Sequence, residues 1–182
     1  PLARQVRTAD AAYWARAYAQ DSTESATTVE QMLVVGAGDR RVAIPLSAVT
    51  RLERIRAATI EQVGSREVLQ YRGALLPLVR LDQLLGAAGG PPADELDIVV
   101  YTRAGRSIAM AVTEIFDIVE DDARRRRDID GHGLTGSTVL KDRVTELLDV
   151  RSAVQAADPG FYDDLDPFDA TAENDLSLAG AR

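Results

Sequence analysis

The chain has 182 residues, of which 46% are hydrophobic, and a net charge of −8. It contains no cysteine, which excludes disulfide bonds, thiolate zinc sites and a cysteine nucleophile, and its acidic balance gives no basic footprint for nucleic acid. No apolar run approaches the roughly 20 residues of a membrane-spanning helix, and the first residues lack the order of a signal peptide. We therefore expect a soluble, cytoplasmic protein with no direct insertion into a membrane.

Residues 1–28 are predicted to form an N-terminal helix and a linker. Residues 8–20 are rich in alanine, and Thr8 is suited to cap the N-terminus of an amphipathic helix. Three aromatic residues in this segment would give the helix an apolar face, which we expect to pack against the folded body or a neighbouring domain. Residues 21–28 are polar and predict the linker, after which a folded body begins.

The body shows the pattern of short β-strands joined by tight turns. Residues 33–46 and 99–112 each predict a hairpin around a turn that contains glycine. A third hairpin is predicted around Arg72 and Gly73, because glycine tolerates the positive φ of a tight turn. Residues 81–86 predict a short helix that ends at a glycine.

The body also contains the same β-rich unit twice. In sequence, residues 33–46 align with residues 99–112 at an offset of 66, and residues 71–81 align with residues 140–150 at an offset of 69. Two repeats are too few for an open solenoid, so we predict a closed pair of similar subdomains. The first barrel is placed at about 29–86 and the second at about 96–150, with exchange of elements between them allowed.

Residues 158–182 form an acidic tail. They contain seven acidic residues and one basic residue, Arg182, and so carry most of the net charge. With two prolines, two glycines and few large apolar residues, the composition predicts disorder. Phe161, Tyr162 and Phe168 could form a short docking motif, but the composition favours a solvated tail.

Several apparent chemical motifs fail on their spacing. Gly36 and Gly38 begin like a dinucleotide fingerprint, but Arg41 stands where the third glycine is needed. Residues 128–133 begin like a calcium loop, which would lack its closing bidentate glutamate. The single histidine, His132, excludes a histidine-rich metal site. We therefore predict no catalytic residue, no metal site and no cofactor.

Two charged segments are better explained as surface structure. The run from Arg124 to Arg127 is bracketed by acidic residues, which predicts local ion pairing rather than a phosphate site. Glu114, Asp117 and Glu120 alternate with apolar residues, which predicts a strand with one solvated face rather than a carboxylate enzyme. A small-molecule-binding double barrel would need an enclosed apolar pocket, for which the sequence offers no motif.

Three blocks of the body resemble the CheW-like domain of bacterial chemotaxis. They are VAIPLSAV at 42–49, YRGALLPLVRL at 71–81 and GLTGSTVLKDRV at 133–144, and they stand in the family's order. The resemblance covers about residues 29–157. The second and third blocks are more similar to the regulatory domain at the C-terminus of the kinase CheA than to a free-standing CheW.

The resemblance implies a mainly β fold of two SH3-like β-barrel subdomains that share an apolar core, with a few short helices. Domains of this family are non-catalytic scaffolds in membrane-associated chemoreceptor arrays. The implied partners are chemoreceptor signalling-tip helices and either CheA or other CheW-like domains. Residues 1–28 carry none of the nucleotide-binding boxes of a kinase domain, so we expect no kinase activity in this chain. It is either a separate adaptor or the C-terminal regulatory domain of a CheA kinase.

The family's receptor groove lies between the two subdomains. Matched by motif, the positions implied to line it are Val49 and Ile118, with Leu52 and Ile115 as neighbours. The same four residues fit ordinary core positions equally well. Arg72 and Gly73 match the family's Arg-Gly turn, for which a partner contact and a purely structural role are both open.

Overall fold

The computed structural model describes residues 29–131 and 133–163. This part of the chain contains twelve β-strands, two short α-helices and three 3₁₀ helices. The strands are β1 Val29–Ala37, β2 Arg40–Pro45, β3 Arg51–Arg56, β4 Ile60–Val63, β5 Arg66–Tyr71, β6 Ala74–Arg80, β7 Glu95–Arg103, β8 Arg106–Val112, β9 Glu114–Asp122, β10 Arg127–Gly131, β11 Leu134–Leu140 and β12 Arg143–Leu148. The α-helices are α1 Leu81–Leu84 and α2 Val150–Ala157, and the 3₁₀ helices are Leu46–Ala48, Ala57–Thr59 and Ala123–Arg125.

Some predictions lie outside the described residues. These are the helix at 8–20, the linker at 21–28, His132 and the part of the acidic tail from residue 164 onward. The three predicted hairpins and the short helix after residue 80 are all present. Among the helices of the described ranges, none is long and apolar enough to cross a membrane.

The strands form two six-stranded sheets. Subdomain A has the strand order β10-β11-β12-β2-β1-β9, and subdomain B has the order β3-β7-β8-β6-β5-β4. Neighbouring strands are antiparallel except for one parallel pair in each sheet, β2 with β12 and β6 with β8. Each sheet therefore repeats the arrangement of the other.

Each subdomain takes one hairpin from the opposite half of the chain. The β1–β2 hairpin joins β9–β12 in subdomain A, and the β7–β8 hairpin joins β3–β6 in subdomain B. The two segments 29–86 and 96–150, between which the predicted division allowed exchange of elements, thus each give one hairpin to the other subdomain. The parallel pairs are the seams at which the exchanged hairpins meet the other strands.

The strand registers show how closely the two halves correspond. Leu52 on β3 lies opposite Val99 on β7, and Ile118 on β9 lies opposite Leu33 on β1. Leu52 and Ile118 are 66 residues apart in the chain, and so are their partners Leu33 and Val99, which is the offset found in the sequence. Beyond β10 the offset becomes 69, so three residues are inserted in the β10–β11 hairpin, where the register also shifts.

The exchanged hairpins are buried on both faces. On β1, Met32 and Val34 face the interior of subdomain A, while Leu33 and Val35 face a central core between the sheets. Strands buried on both sides lose the simple alternation of apolar and polar residues, as the largely apolar run Leu33-Val34-Val35 shows. The central core is formed mainly by Leu33, Val35, Val42, Ile44, Leu46, Val99, Ile108, Met110 and Val112, together with residues of both helices.

The helices close the central core. Leu81 of α1 and Ala153 and Val154 of α2 are fully buried there. Asp149 caps the N-terminus of helix α2, and its side chain accepts hydrogen bonds from the Ser152 amide at 3.2 Å and the Ser152 hydroxyl at 2.6 Å. This cap satisfies amide groups that the first turn leaves without a partner inside the helix.

The prediction that residues from 158 onward form a solvated tail is wrong for the first part of that segment. Phe161 is 1% exposed and belongs to the central core. Arg106 fixes it there by donating hydrogen bonds to the carbonyl oxygens of Gly160 and Phe161, each at 3.1 Å, and to the Asp158 carboxylate at 2.9 Å. One buried aromatic outweighs the acidic composition around it, because a ring of this size contributes a large apolar area to the core.

Tyr162 extends this attachment. Its ring packs against Phe161 with centroids 5.1 Å apart, and the Arg151 guanidinium lies 4.6 Å from its ring centre. Burial, followed by a hydrogen bond with Tyr101, raises the pKa of Tyr162 to about 12. The phenol is therefore neutral throughout the physiological range, as its packing against the core requires.

Replacing Phe161 with alanine should test whether this segment is part of the fold. Truncating a buried phenylalanine removes apolar contact and leaves a cavity, so we expect Phe161→Ala to lower the free energy of unfolding by roughly 3 to 5 kcal/mol. Urea denaturation followed by circular dichroism measures this. Val144→Ala is the matched control, because Val144 is 71% exposed. Equal stability of Phe161→Ala and the wild-type chain would show that Phe161 does not contribute to the folded core.

Candidate functional site

The four predicted groove residues form two equivalent pairs. Val49 corresponds to Ile115, and Leu52 corresponds to Ile118, each at an offset of 66. Leu52 lies on β3 and Ile118 on β9, and each of these strands is one of the two terminal strands of its sheet. All four pack on the same central core. The structure therefore brings them together around one apolar centre.

Burial separates Ile118 from the other three residues. Val49 is 3% exposed, and Leu52 and Ile115 are each 2% exposed. Ile118 is half-buried and packs against the rim of the core. The core interpretation thus describes Val49, Leu52 and Ile115, whereas Ile118 combines a core contact with a surface that a partner could reach.

The Arg72-Gly73 turn is tied to β3 as well as exposed. Its two residues have φ values of 50° and 79°, the left-handed backbone that joins β5 tightly to β6. The Arg72 side chain is 66% exposed and lies 4.0 Å from the Glu53 carboxylate. It also lies over the Tyr71 ring at 5.2 Å, and the Tyr71 hydroxyl donates to Glu53 at 2.5 Å. The turn is therefore held by local contacts while its guanidinium remains open to solvent.

The equivalent turn in subdomain A repeats this arrangement with different residues. Lys141 and Asp142 have φ values of 47° and 61°, so neither position of this turn is a glycine. Lys141 forms a salt bridge with Asp117 on β9, as Arg72 approaches Glu53 on β3. Each hairpin turn thus reaches the terminal strand of its own sheet.

A buried carboxylate, Asp121, links several strands of subdomain A through hydrogen bonds. Asp121 is 1% exposed and accepts hydrogen bonds from the Thr138 hydroxyl at 2.7 Å and from Arg126 Nε at 2.6 Å. Arg126 also donates to Glu30 at 2.6 Å. These bonds join β1, β9 and β11, and they satisfy a charge that would otherwise be costly to bury. The predicted local ion pairing of the arginine run is confirmed for Arg126 and for Arg124, which pairs with Asp122.

Sequence reasoning missed a difference in sign between the terminal strands. The face of β3 that buries Leu52 continues with the exposed residues Arg54 and Arg56, and the equivalent positions on β9 are Glu120 and Asp122. Hydrogen bonding to Asp97 raises the pKa of Arg54. The side-chain hydrogen bond from Arg124 lowers the pKa of Asp122, so both groups remain charged. A comparison of the charges of residues 66 positions apart in the sequence would have revealed this difference.

One concave surface is largely polar. This depression of about 540 Å³ is lined by Arg54, Ala93, Asp94, Glu95, Asp97 and Thr113, four of which are charged. Such a lining does not suit the apolar enclosure typical of a small-molecule site. Within the described ranges, no group of three or more histidine, aspartate or glutamate side chains is arranged to hold a metal ion.

The two equivalent turns predict opposite effects of glycine. A Cβ added at Gly73 would meet no atom within 4 Å, so the cost of Gly73→Asp is confined to the left-handed backbone, about 1 kcal/mol. Asp142→Gly relieves the same strain and should raise the free energy of unfolding by up to about 1 kcal/mol. Urea denaturation of both variants measures this. A loss of stability in Asp142→Gly would show that its side chain has a contact worth more than the strain.

Comparison with known proteins agrees with this architecture. A family model described as the CheW-like domain matches residues 31–158. Chemotaxis protein CheA of Listeria innocua is 25% identical over 88 residues, which is 48% of this chain and 14% of that protein. The CheA protein of Listeria monocytogenes gives the same identity and coverage. The chain therefore matches only a small part of the length of these curated relatives.

Among solved structures, the crystal structure of scaffolding protein TtCheW from Thermoanaerobacter tengcongensis is similar, with a TM-score of 0.57 and 12% sequence identity. The match covers 65% of this chain and 88% of that one, and at this identity it concerns the fold alone. The predicted mainly β fold of two SH3-like subdomains is thereby confirmed. Because the family model spans most of the chain and the fold agrees with it, the chain belongs to the CheW-like domain family of bacterial chemotaxis.

Proposed function

We propose that this CheW-like domain is a non-catalytic scaffold that couples chemoreceptors to the kinase CheA in the cytoplasm, at membrane-associated receptor arrays. The observation that carries the proposal is the family match over residues 31–158, a region folded as two subdomains on one central core. A shared core fixes the relative position of two surfaces. Such a body suits a protein that must hold two partners at once.

In this proposal, Ile118 is the residue that contacts the receptor. Recognition of a helical hairpin in a groove depends on a few apolar anchors that the helix can reach. Ile118 is half-buried, so part of its side chain is available, while its inner part rests on the central core. Val49, Leu52 and Ile115 lie beneath the surface, so in this proposal they support the contact from the core.

The buried charges support a structural role. Asp97 and Asp121 are buried carboxylates, and each is held by an arginine, Arg54 at 2.9 Å and Arg126 at 2.6 Å. Each arginine compensates a charge that would otherwise be costly to bury. These groups stabilise the sheets and leave protein–protein contact as the function of the surface.

The equivalent pair Leu52 and Ile118 allows receptor contact to be separated from folding. We expect Ile118→Ala to weaken binding of a purified receptor signalling-tip hairpin by roughly tenfold or more, because truncated anchors typically cost at least ~1 to 2 kcal/mol. Leu52→Ala should lower the free energy of unfolding by roughly 2 to 5 kcal/mol, since Leu52 is enclosed in the core. Calorimetric titration with the hairpin and urea denaturation measure the two effects.

The two variants control for each other. At a temperature where Leu52→Ala is still folded, it should bind the hairpin close to the wild-type level, because its side chain does not reach the surface. Unchanged binding by folded Ile118→Ala would remove this residue from the contact. Absence of binding by the wild-type chain to any cognate receptor tip would contradict the receptor proposal itself.

A second candidate function is that of a regulatory domain of a CheA kinase. The observation in its favour is that the curated relatives matched are CheA proteins, over 88 residues of this chain. An adaptor and a regulatory domain of the same fold differ in what they do to an existing kinase. The adaptor adds a missing link, while the regulatory domain occupies a place that the kinase's own domain already fills.

Adding the purified chain to receptors and CheA should distinguish these two functions. If the chain is an adaptor, we expect receptor-dependent autophosphorylation of CheA to rise with added chain, because receptor and kinase are then linked. If it acts as a regulatory domain, added chain competes with the kinase and phosphorylation falls. Radiolabelled phosphate incorporation measures both, and folded Ile118→Ala is the control for dependence on the receptor contact.

A further inference from the structure

The last described residues of the chain leave the central core beside three arginines. Arg106 holds the start of this segment through hydrogen bonds to the Asp158 carboxylate and to two backbone carbonyl groups. Arg103 lies directly opposite Arg106 at the end of the β7–β8 hairpin. The Arg151 guanidinium lies 4.6 Å from the centre of the Tyr162 ring. The chain therefore emerges into a region of concentrated positive charge.

Two of these arginines, Arg103 and Arg151, are exposed. Within the described part of the chain neither forms a salt bridge, whereas Arg106 pairs with Asp158 at 2.9 Å. Burial is the main cause that raises the pKa of Tyr162 to about 12, while the positive charges of Arg151 and Arg103 act in the opposite direction. Like charges directly opposite one another on paired strands repel, so Arg103 and Arg106 favour a nearby anion.

The residues that follow in the sequence carry the opposite charge. Residues 164–169 read DLDPFD, and residues 164–182 contain five acidic residues and one basic residue. The covalent reach of the chain keeps the Cα atoms of Asp164 and Asp166 within about 4 Å and about 11 Å of that of Asp163. These two carboxylates are therefore tethered beside the arginines that surround residue 162.

We propose that residues 164–169 of this chain dock on the exposed guanidinium groups of Arg103 and Arg151, beside the tip of the β7–β8 hairpin. This surface fits an acidic peptide, because each guanidinium presents several N–H donors to carboxylate oxygens. The chain's own segment is the occupant, since it is attached next to the surface and carries the complementary charge. The arginine run at 124–127 lies between acidic residues of its own segment.

Covalent attachment compensates for the weakness of each contact. A single surface ion pair contributes little, because solvent screens it and two long side chains lose freedom. A short flexible linker, however, gives an attached segment an effective concentration in roughly the millimolar range. A free acidic peptide with the same contacts must therefore reach a roughly millimolar concentration to displace it. The segment thus acts as a built-in competitor against other acidic segments at this hairpin tip.

NMR relaxation of the purified full chain tests this proposal without any receptor or kinase, so its outcome is independent of the proposed function. Backbone order parameters are about 0.85 in rigid segments and below about 0.6 in flexible ones. At low salt, we expect the amides of residues 164–169 to lie above about 0.6. Raising sodium chloride from about 50 mM to about 500 mM shortens the screening length from roughly 14 Å to roughly 4 Å and should lower these values.

Charge reversal locates the contact. Arg103→Glu leaves the contact between Arg151 and Tyr162 in place, and it places like charges together, so the segment should fall below about 0.6. Arg143→Glu is the matched control, because it makes the same charge change at an exposed residue of β12 and should leave the segment ordered.

An exchange of charge between the two sides should restore the contact. Arg103→Glu/Arg151→Glu combined with Asp164→Arg/Asp166→Arg again places opposite charges together, so the order parameters of the segment should rise above those of Arg103→Glu. Circular dichroism and the order parameter of the Phe161 amide establish that each variant is folded and still anchored. A folded quadruple variant whose segment stays flexible would contradict the pairing.

Three further results would overturn the proposal. The first is a wild-type segment that is flexible at low salt. The second is an ordered segment that neither high salt nor Arg103→Glu affects, which would show that other contacts hold it. The third is order that is lost on dilution, which would show that the segment docks on a second copy of the chain instead of its own.

Discussion

The fold depends on burying two hairpins on both of their faces. β1–β2 and β7–β8 each supply one row of side chains to the interior of a subdomain and the other row to the central core. Neither hairpin has a face left for solvent, so each needs the strands of the opposite half to cover it. Removing one half would expose two apolar faces at once. The exchange of hairpins thus makes the two subdomains a single cooperative unit, although each resembles a small barrel.

Local features of this fold could be predicted from the sequence, whereas the exchange could only be allowed for, because the sequence does not say which strands cross over. The turn at Arg72-Gly73 and the helix after residue 80 follow from nearby residues, as do the hairpins. The parallel pairs between β2 and β12 and between β6 and β8 join strands far apart in the chain, and two similar halves offer two equivalent partners for each hairpin. Likewise, the acidic composition after residue 158 concealed Phe161, because an average over a segment does not detect one buried ring.

The candidate site shows the same limit. Motif matching selected Val49, Leu52, Ile115 and Ile118, and all four do surround the central core. Sequence alone could not separate the three buried residues from the half-buried one, because exposure depends on what the opposite subdomain covers. The equivalence of Leu52 and Ile118 makes this clear: both are large aliphatic residues at matching strand positions, yet only Ile118 reaches solvent. The two positions therefore have similar side chains but differ in their exposure to solvent.

The repeated fold with exchanged hairpins gives two subdomains of the same shape. Because their outer residues differ, the equivalent surfaces of the two subdomains are not the same. The strands β3 and β9 hold equivalent backbone positions, so their difference lies in side chains alone: arginine on one, carboxylate on the other, and a buried or a half-exposed aliphatic residue beside them. Two identical edges would offer the same surface to every neighbour. Unlike edges on a common core can present a different surface to each neighbour.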